Sequence, residues 1–191
     1  MMAVIHRNAL RLNNLFDDLL TLSKIDAQSG PMDKERLALK PIVAEAVDKQ
    51  RSRAVKRRVQ FQLLVSEQLD VFSNRDALNH IVGNLVENAV KYNREGGLVT
   101  VRAEFRQDKN SVLLEVIDVG MGIAPSQQDR MFERVFRVDK ARNSAVKGSG
   151  LGLSIVKRLV DQLGATIELR SRVGSGSIFR LWLDTCEPLE E

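Results

Sequence analysis

Asn84, Asn88 and Lys91 recur at helical spacing and so fall on one stripe of a single helix. An amide carbonyl can ligate a hard cation such as Mg²⁺ and an ammonium neutralises phosphate oxygens, so the set suits an anionic ligand carried with its metal. A solvated helix face would use the same residue types. Downstream, Asp118 stands at a strand end before Val-Gly-Met-Gly-Ile-Ala124, where Gly120 and Gly122 permit close backbone approach to a ligand. A structural turn accounts for these glycines equally well. Further on, Gly148-Ser-Gly-Leu-Gly-Leu-Ser154 feeds an apolar-periodic helix, and glycines at a helix N-terminus expose backbone N–H groups to an anion. The string follows an irregular segment rather than a strand and lacks Gly-Lys-Ser/Thr, which excludes both the dinucleotide fingerprint and the P-loop.

The elements that must position these groups are legible from periodicity. Leu78, Ile81, Val82, Leu85, Val86 and Ala89 give the first helix an apolar stripe distinct from the polar one, with Ser73 or Asn74 as its cap. Before it, Pro41 lies in the first turn of a helix with inward Ile42, Val43, Ala46, Val47 and Ala54, which ends in a basic run holding Arg51, Arg53, Lys56, Arg57 and Arg58. That run reads as a solvated helix end; aromatic interleaving, which a nucleic-acid surface would show, is absent. Alternation predicts a strand through Val59, Phe61, Leu63 and Val65, a short strand around Val71, and a hairpin of Val99–Phe105 and Val112–Val116 around Gln107–Asn110. Residues 124–147 are irregular, interrupted by Met131-Phe-Glu-Arg-Val-Phe-Arg137, and read as a lid or binding loop. Two closing strands, Thr166–Ser171 and Ser177–Leu183, flank Val173-Gly-Ser-Gly176, and a tail follows at 187–191.

Residues 1–28 read differently. Ile5, Leu12 and Leu19 are seven apart, with Leu15 and Leu22 in the alternate seam and Phe16 and Leu20 widening it, as in a helix of a multi-helix bundle. Gln28-Ser-Gly-Pro31 marks the boundary with the domain at 29–186. Over 191 residues, 43% hydrophobic and 28% charged content is that of a folded domain, and a net charge of +4 does not by itself imply nucleic acid. A single cysteine, Cys186, excludes an internal disulfide and a cysteine metal cluster. No apolar run approaches the ~20 residues that span a bilayer, and the first residues show no secretory pattern.

In this order, the four signals resemble the ATP-binding catalytic domain of bacterial sensor histidine kinases, within the wider gyrase, chaperone and mismatch-repair ATPase superfamily. Asn84–Tyr92 is similar to the asparagine box, Asp118–Ile123 to the first glycine box, Phe132–Arg137 to the phenylalanine box and Gly148–Leu153 to the second glycine box. Residues 1–26 resemble the second helix of the dimerisation and phosphotransfer hairpin. The resemblance implies an α/β (α+β) two-layer sandwich, the Bergerat ATP-binding fold: a mixed, mostly antiparallel sheet of about five strands with helices on one face.

By position, the resemblance implies ATP with Mg²⁺ as cofactors. Asn88 is the expected metal ligand, with Asn84 supporting the phosphates, Lys91 and Arg137 contacting them, and Arg134 a lesser candidate. Tyr92 would line the nucleoside pocket with Ile123. Asp118 would accept from the adenine amino group while Gly120 and Gly122 let the base approach. Gly148, Gly150, Leu151, Gly152 and Leu153 belong to the second glycine box, whose backbone N–H groups from Gly150 to Leu153 would meet the phosphates. Catalysis would rest on Asn84, Lys91 and Arg137. Where hydrolysing relatives resemble one another in a glutamate base one turn before the metal-binding asparagine, this chain has Asn84, and an amide takes no proton at neutral pH, so transfer to a delivered nucleophile is favoured over hydrolysis.

The family's acceptor pattern, His-Glu/Asp-x-x-Thr/Asn-Pro, does not occur; His6 and His80 lack its neighbours and read as ordinary residues. The second glycine box carries Lys147 where relatives often have another glycine. The expected partners are therefore ATP or ADP, the histidine-bearing hairpin of a homodimeric kinase, and a response-regulator receiver domain, with no nucleic acid. The domain would be cytoplasmic, in a protein anchored in the inner membrane. The alternatives are a nucleotide-sensing or phosphatase-biased module, and an ATPase of the gyrase or chaperone type.

Overall fold

The computed structural model describes residues 32–136 and 150–186, together with Phe16, Leu19, Leu20, Leu22 and Ser23, which are helical. The 28–31 boundary, most of the expected bundle helix and the tail lie outside the described residues. In chain order the elements are β1 (Glu35–Ala38), α1 (Leu39–Lys56), β2 (Gln60–Leu64), β3 (Asp70–Ser73), α2 (Arg75–Lys91), β4 (Leu98–Arg106), β5 (Ser111–Asp118), α3 (Pro125–Gln128), α4 (Gly152–Gln162), β6 (Thr166–Arg172) and β7 (Gly176–Asp184). Five strands form one sheet in the order β2-β4-β5-β7-β6, in which only β2 and β4 run parallel; β1 and β3 make a separate antiparallel pair.

α2 is the central buried element. Ala77, Leu78, Ile81, Val82, Leu85, Val86, Ala89 and Val90 are all buried, as the apolar stripe requires. They join the inward residues Val99, Val101, Val112, Leu114, Val116, Phe179, Leu181 and Leu183 of the sheet in one core, which also takes Ile42, Val43 and Val47 of α1 and Ile155, Val156, Leu159 and Val160 of α4. Burial of each large aliphatic side chain contributes about 1.5–3 kcal/mol, so α2 is held by its apolar stripe and its polar edge is left for other use. Asn74 caps the helix, its Oδ1 accepting the Ala77 N–H at 3.0 Å. Leu22 is buried in the same core. Among the described residues, no helix is long and apolar enough to cross a membrane.

Local differences from the sequence reading have plain causes. α1 starts at Leu39, and Pro41 lies inside its first turn, where the first N–H groups have no intrahelical acceptor anyway. The strand expected from Val59 to Val65 forms over Gln60–Leu64 as the sheet's edge, where Leu63 is 39% exposed, and the flanking Val59 and Val65 are buried. β1 has no alternating signature: of its four residues only Leu37 is buried. On the outer face of β5, Glu115 is only 2% exposed and is clamped by Arg102 Nε and, at 2.8 Å, by Arg180 Nε.

Candidate active site

The polar edge of α2 ends where three other segments converge. Asn84 donates from Nδ2 to the His80 carbonyl at 2.9 Å, which turns its Oδ1 toward the start of α4. A Cβ at Gly152 would lie 2.5 Å from that oxygen, so a side chain there would displace the Asn84 amide. Glu87, one turn after Asn84 on α2, pairs with Arg53 at 2.9 Å on the surface. At the C-terminus, Lys91 Nζ lies 5.2 Å from the centre of the Tyr92 ring.

The basic run after α1 has a job beyond solvation. Arg57 donates from Nη1 to the Lys91 carbonyl at 2.8 Å and from Nη2 to the Asn93 carbonyl at 2.7 Å. Those carbonyls stand at and just beyond the C-terminus of α2, so Arg57 caps the helix and complements its dipole. Asn93, 4% exposed, continues the turn by donating to the Leu98 carbonyl at 3.0 Å. The run's other arginines pair on the surface, Arg51 with Asp48 and Arg58 with Glu95.

Asp118 closes β5 on the same face as Val112, Leu114 and Val116, in register with Ser177 of β7, and is 6% exposed. Its Oδ1 accepts the Gly120 N–H at 2.8 Å. Burial pushes its carboxyl from the ordinary 3.8 up to about 6, against the opposing pull of hydrogen bonds from the Gly120 N–H and from the N–H and hydroxyl of Ser177. The loop after Asp118 is laced to its surroundings by backbone. Met121 N–H reaches the Tyr92 carbonyl at 3.3 Å, and Gly174 N–H reaches the Met121 carbonyl at 2.8 Å. A Cβ at Gly120 would lie 2.1 Å from the Tyr92 carbonyl oxygen, and one at Gly122, whose φ is +67°, would lie 2.0 Å from that of Arg172. In this structure the two glycines therefore admit neighbouring backbone. Ile123 is buried beside them.

Gly150, at φ +76°, accepts the Val135 N–H at 3.1 Å, which joins the phenylalanine-rich segment to the second glycine string. Arg130 stacks over Phe136 with its Cζ 4.5 Å from the ring centre. Leu151 is buried; Gly152 opens α4, and Leu151, at the N-cap position, has an apolar side chain that makes no capping bond. The first-turn N–H groups and dipole of α4 suit an anion. Asn84 thus meets Gly152, and Tyr92 meets the 118–121 loop, at opposite ends of one helix edge. Arg137, Gly148 and the segment 137–149 lie outside the described residues. Periodicity and motifs passed over Ser177 and Arg57. Ser177 had a signal: it is a polar residue at an inward strand position, in phase with Phe179, Leu181 and Leu183.

A family model described as histidine kinase-, DNA gyrase B-, and HSP90-like ATPase matches residues 73–187. The chain belongs to that family. The chain is 35% identical over 175 residues to the sensor-like histidine kinase SenX3 of Mycobacterium tuberculosis, covering 92% of this chain and 42% of the relative. It is 33% identical over 173 residues to the phosphate regulon sensor protein PhoR of Pseudomonas aeruginosa, covering 91% and 39%. The chain therefore spans about two fifths of the length of these relatives. The chain shares its fold with full-length ShkA, solved in complex with AMPPNP, at a TM-score of 0.82 and 24% identity over 97% of this chain and 39% of that one. The two-layer, mostly antiparallel architecture expected from the resemblance is the one observed.

Proposed function

We propose that this domain binds Mg-ATP along the polar edge of α2 and holds the γ-phosphoryl group for transfer to a histidine on a separate hairpin helix of a sensor kinase. The observation that carries this reading is the buried Asp118. Gly120 and Ser177 hold it at the end of a helix edge that bears Asn84, Asn88 and Lys91. A carboxylate so placed accepts from the amino group of adenine, and Tyr92 and Ile123 border the same loop. The amides and Lys91 then lie toward the triphosphate, whose far end is met by the N-terminus of α4 at Gly150, Leu151, Gly152 and Leu153.

The residues present fit a Mg²⁺ ion carried with the nucleotide. Magnesium needs only one or two protein oxygens beside phosphate and water, and among the described residues no cluster of His, Cys, Asp and Glu competes for it. Asn88 would supply a hard amide oxygen, with Asn84 one turn away. When bound, the ion neutralises charge that develops on the transferred phosphoryl group. Lys91 adds charge to the same end and, in this reading, Arg137 and Gly148 complete it from the lid. Asn84 cannot take a proton from water, and Glu87 is bound to Arg53. The domain therefore positions and neutralises, while the nucleophile arrives from outside. The full kinase would act as a homodimer anchored in the inner membrane, with this domain in the cytoplasm, and pass the phosphate to an aspartate of a receiver domain.

Titration calorimetry with ADP and a non-hydrolysable ATP analogue, with and without Mg²⁺, tests this reading. Binding strengthened by metal in the wild type, but not in Asn88→Asp, and lost in Asp118→Asn is the expected result. No binding by the folded wild-type domain would refute it. Transfer of labelled phosphate to a supplied hairpin carrying an acceptor histidine then tests the activity, and acceptor-independent release of phosphate would refute that part.

A further inference from the structure

β2 is one edge of the five-stranded sheet, and β6 is the other. Among the described strands, β2, Gln-Phe-Gln-Leu-Leu, is the one with no charged residue, whereas β6 carries Glu168, Arg170 and Arg172. Charged side chains are an ordinary guard against strand addition, because a sheet edge offers its unpaired N–H and C=O groups to any further chain. Leu63 and Leu64 are 39% and 51% exposed, one on each face of this unguarded strand.

The register with β4 decides which backbone groups are free. Gln60 stands opposite Leu98 and donates to the Gly97 carbonyl at 2.9 Å. In a parallel pair, a residue bonded in this way turns both its N–H and its C=O toward the neighbouring strand, and the next residue turns both away. Gln60, Gln62 and Leu64 therefore pair with β4, while Phe61 and Leu63 present their groups to the open edge. A second copy of β2, laid antiparallel about a twofold axis at Gln62, sets Phe61 opposite Leu63 of the second copy and Leu63 opposite its Phe61. Each couple exchanges both hydrogen bonds, so every outward group of the two strands is satisfied. Sliding the register toward the start of the strand would set Leu63 against Val59, whose N–H is committed to the Ala54 carbonyl at 2.9 Å.

The side chains suit the same arrangement. Phe61, partly buried against the core, would lie beside Leu63 of the second copy, and no like charges meet along the strand. Antiparallel pairing also brings the basic end before β2, with the exposed Arg58, toward the exposed Glu67 of the second copy. Parallel pairing would bring basic end to basic end.

We propose that β2 is an interaction surface for a second copy of this chain, joining the two sheets edge to edge into one. No residue of the nucleotide reading lies on β2, so the two stand or fall separately. One short strand from each copy falls well below the ~20–30 residues a side of a standard interface, so the pairing is weak by itself and is favoured where two chains are already held together.

Sedimentation velocity of the whole chain from about 10 μM to about 1 mM, with amide exchange along the series, tests the proposal. The mass should rise with concentration, and the Phe61 and Leu63 amides should gain protection as it does. Those of Gln60, Gln62 and Leu64 are bonded to β4 and should be protected throughout. Gln62→Lys or Gln62→Glu sets like charges opposite one another at the axis and should weaken association about tenfold, while an equimolar mixture of the two variants restores it. Gln62 is exposed, so neither change threatens the fold. Pairing through residues 1–28 would be common to all these chains and would leave their differences intact. A wild type whose mass matches that of either variant at every concentration would overturn the proposal. So would a mixture that restores nothing, or association without new protection at Phe61 and Leu63.

Discussion

Replacing Asp118 by asparagine removes the charge of the site's carboxylate while keeping its shape and its acceptor for the Gly120 N–H. The carboxyl is raised on folding from 3.8 to about 6, chiefly by burial, so the folded state prefers it protonated. Below 3.8 it is protonated in both states and contributes nothing to the pH dependence. As pH rises, the unfolded chain ionises first, and above about 6 the folded domain carries the full cost of a buried charge. At ~1.4 kcal/mol per pH unit this cost is about 3 kcal/mol. The asparagine variant does not titrate here, so its advantage over wild type should be about 1 kcal/mol at pH ~4.5 and about 3 kcal/mol at pH ~8, the latter worth roughly 10 °C in Tm. Urea unfolding of both chains across this range measures it. A difference that is flat with pH, or that favours wild type at the alkaline end, would refute the assignment of a charged, buried Asp118. The same variant should fail to bind ADP, a gain in stability bought with function.

Glu115 should behave in the opposite sense. Burial raises its carboxyl, but hydrogen bonds and charge from Arg102 and Arg180 outweigh burial and hold it below its ordinary range, so its contribution is present above the unfolded value and lost as pH falls. Glu115→Gln should therefore flatten the acid limb of the stability profile, and an unchanged limb would count against the clamp. Arg57→Ala removes both hydrogen bonds to the Lys91 and Asn93 carbonyls and should cost about 1–3 kcal/mol in urea unfolding, with a weaker ADP site because Lys91 and Tyr92 lose their anchor. Unchanged stability would dismiss the cap. Gly120→Ala would drive a Cβ to 2.1 Å from the Tyr92 carbonyl oxygen, so loss of ADP binding and at least ~1–3 kcal/mol of stability are expected. A wild-type titration curve for this variant would mean the crossing is looser than drawn. Leu85→Ala, at a fully buried position of α2, should cost about 2–5 kcal/mol by the same unfolding assay.

α2 was legible because one face of it is wholly apolar and buried; a 3.6-residue period over seventeen residues has few other solutions. Strands β4 and β5 were legible because each alternates against a covered face. β1 was not, since four residues with one buried side chain carry no period, and what makes it a strand is its pairing with β3, thirty-odd residues away. Arg57 was hidden for a related reason. Its neighbours Arg51, Arg53, Lys56 and Arg58 are of like charge and largely exposed, and only the fold decides which of the five reaches back to cap another helix. Ser177 belongs to no motif, and its register partner, Asp118, comes from β5, so its role exists only once the two strands meet.

The two glycines of the Asp118 loop show why a motif can be read correctly as a place and incompletely as a cause. Their spacing marks a site of close approach, and close approach is present, but the partners are the Tyr92 and Arg172 carbonyls. Backbone hydrogen bonds from Met121 to Tyr92 and from Gly174 to Met121 hold the loop to these neighbours. Asn84 adds the matching constraint at the other end, since its oxygen fills the space that a side chain at Gly152 would need. Between these two fixed crossings the edge of α2 offers amides and an ammonium, and the nearest carboxylate of the helix, Glu87, is engaged by Arg53. In the nucleotide reading, charge neutralisation along this edge and an amide, Asn84, where a general base would have to stand favour holding a phosphoryl group for an incoming nucleophile over activating water against it.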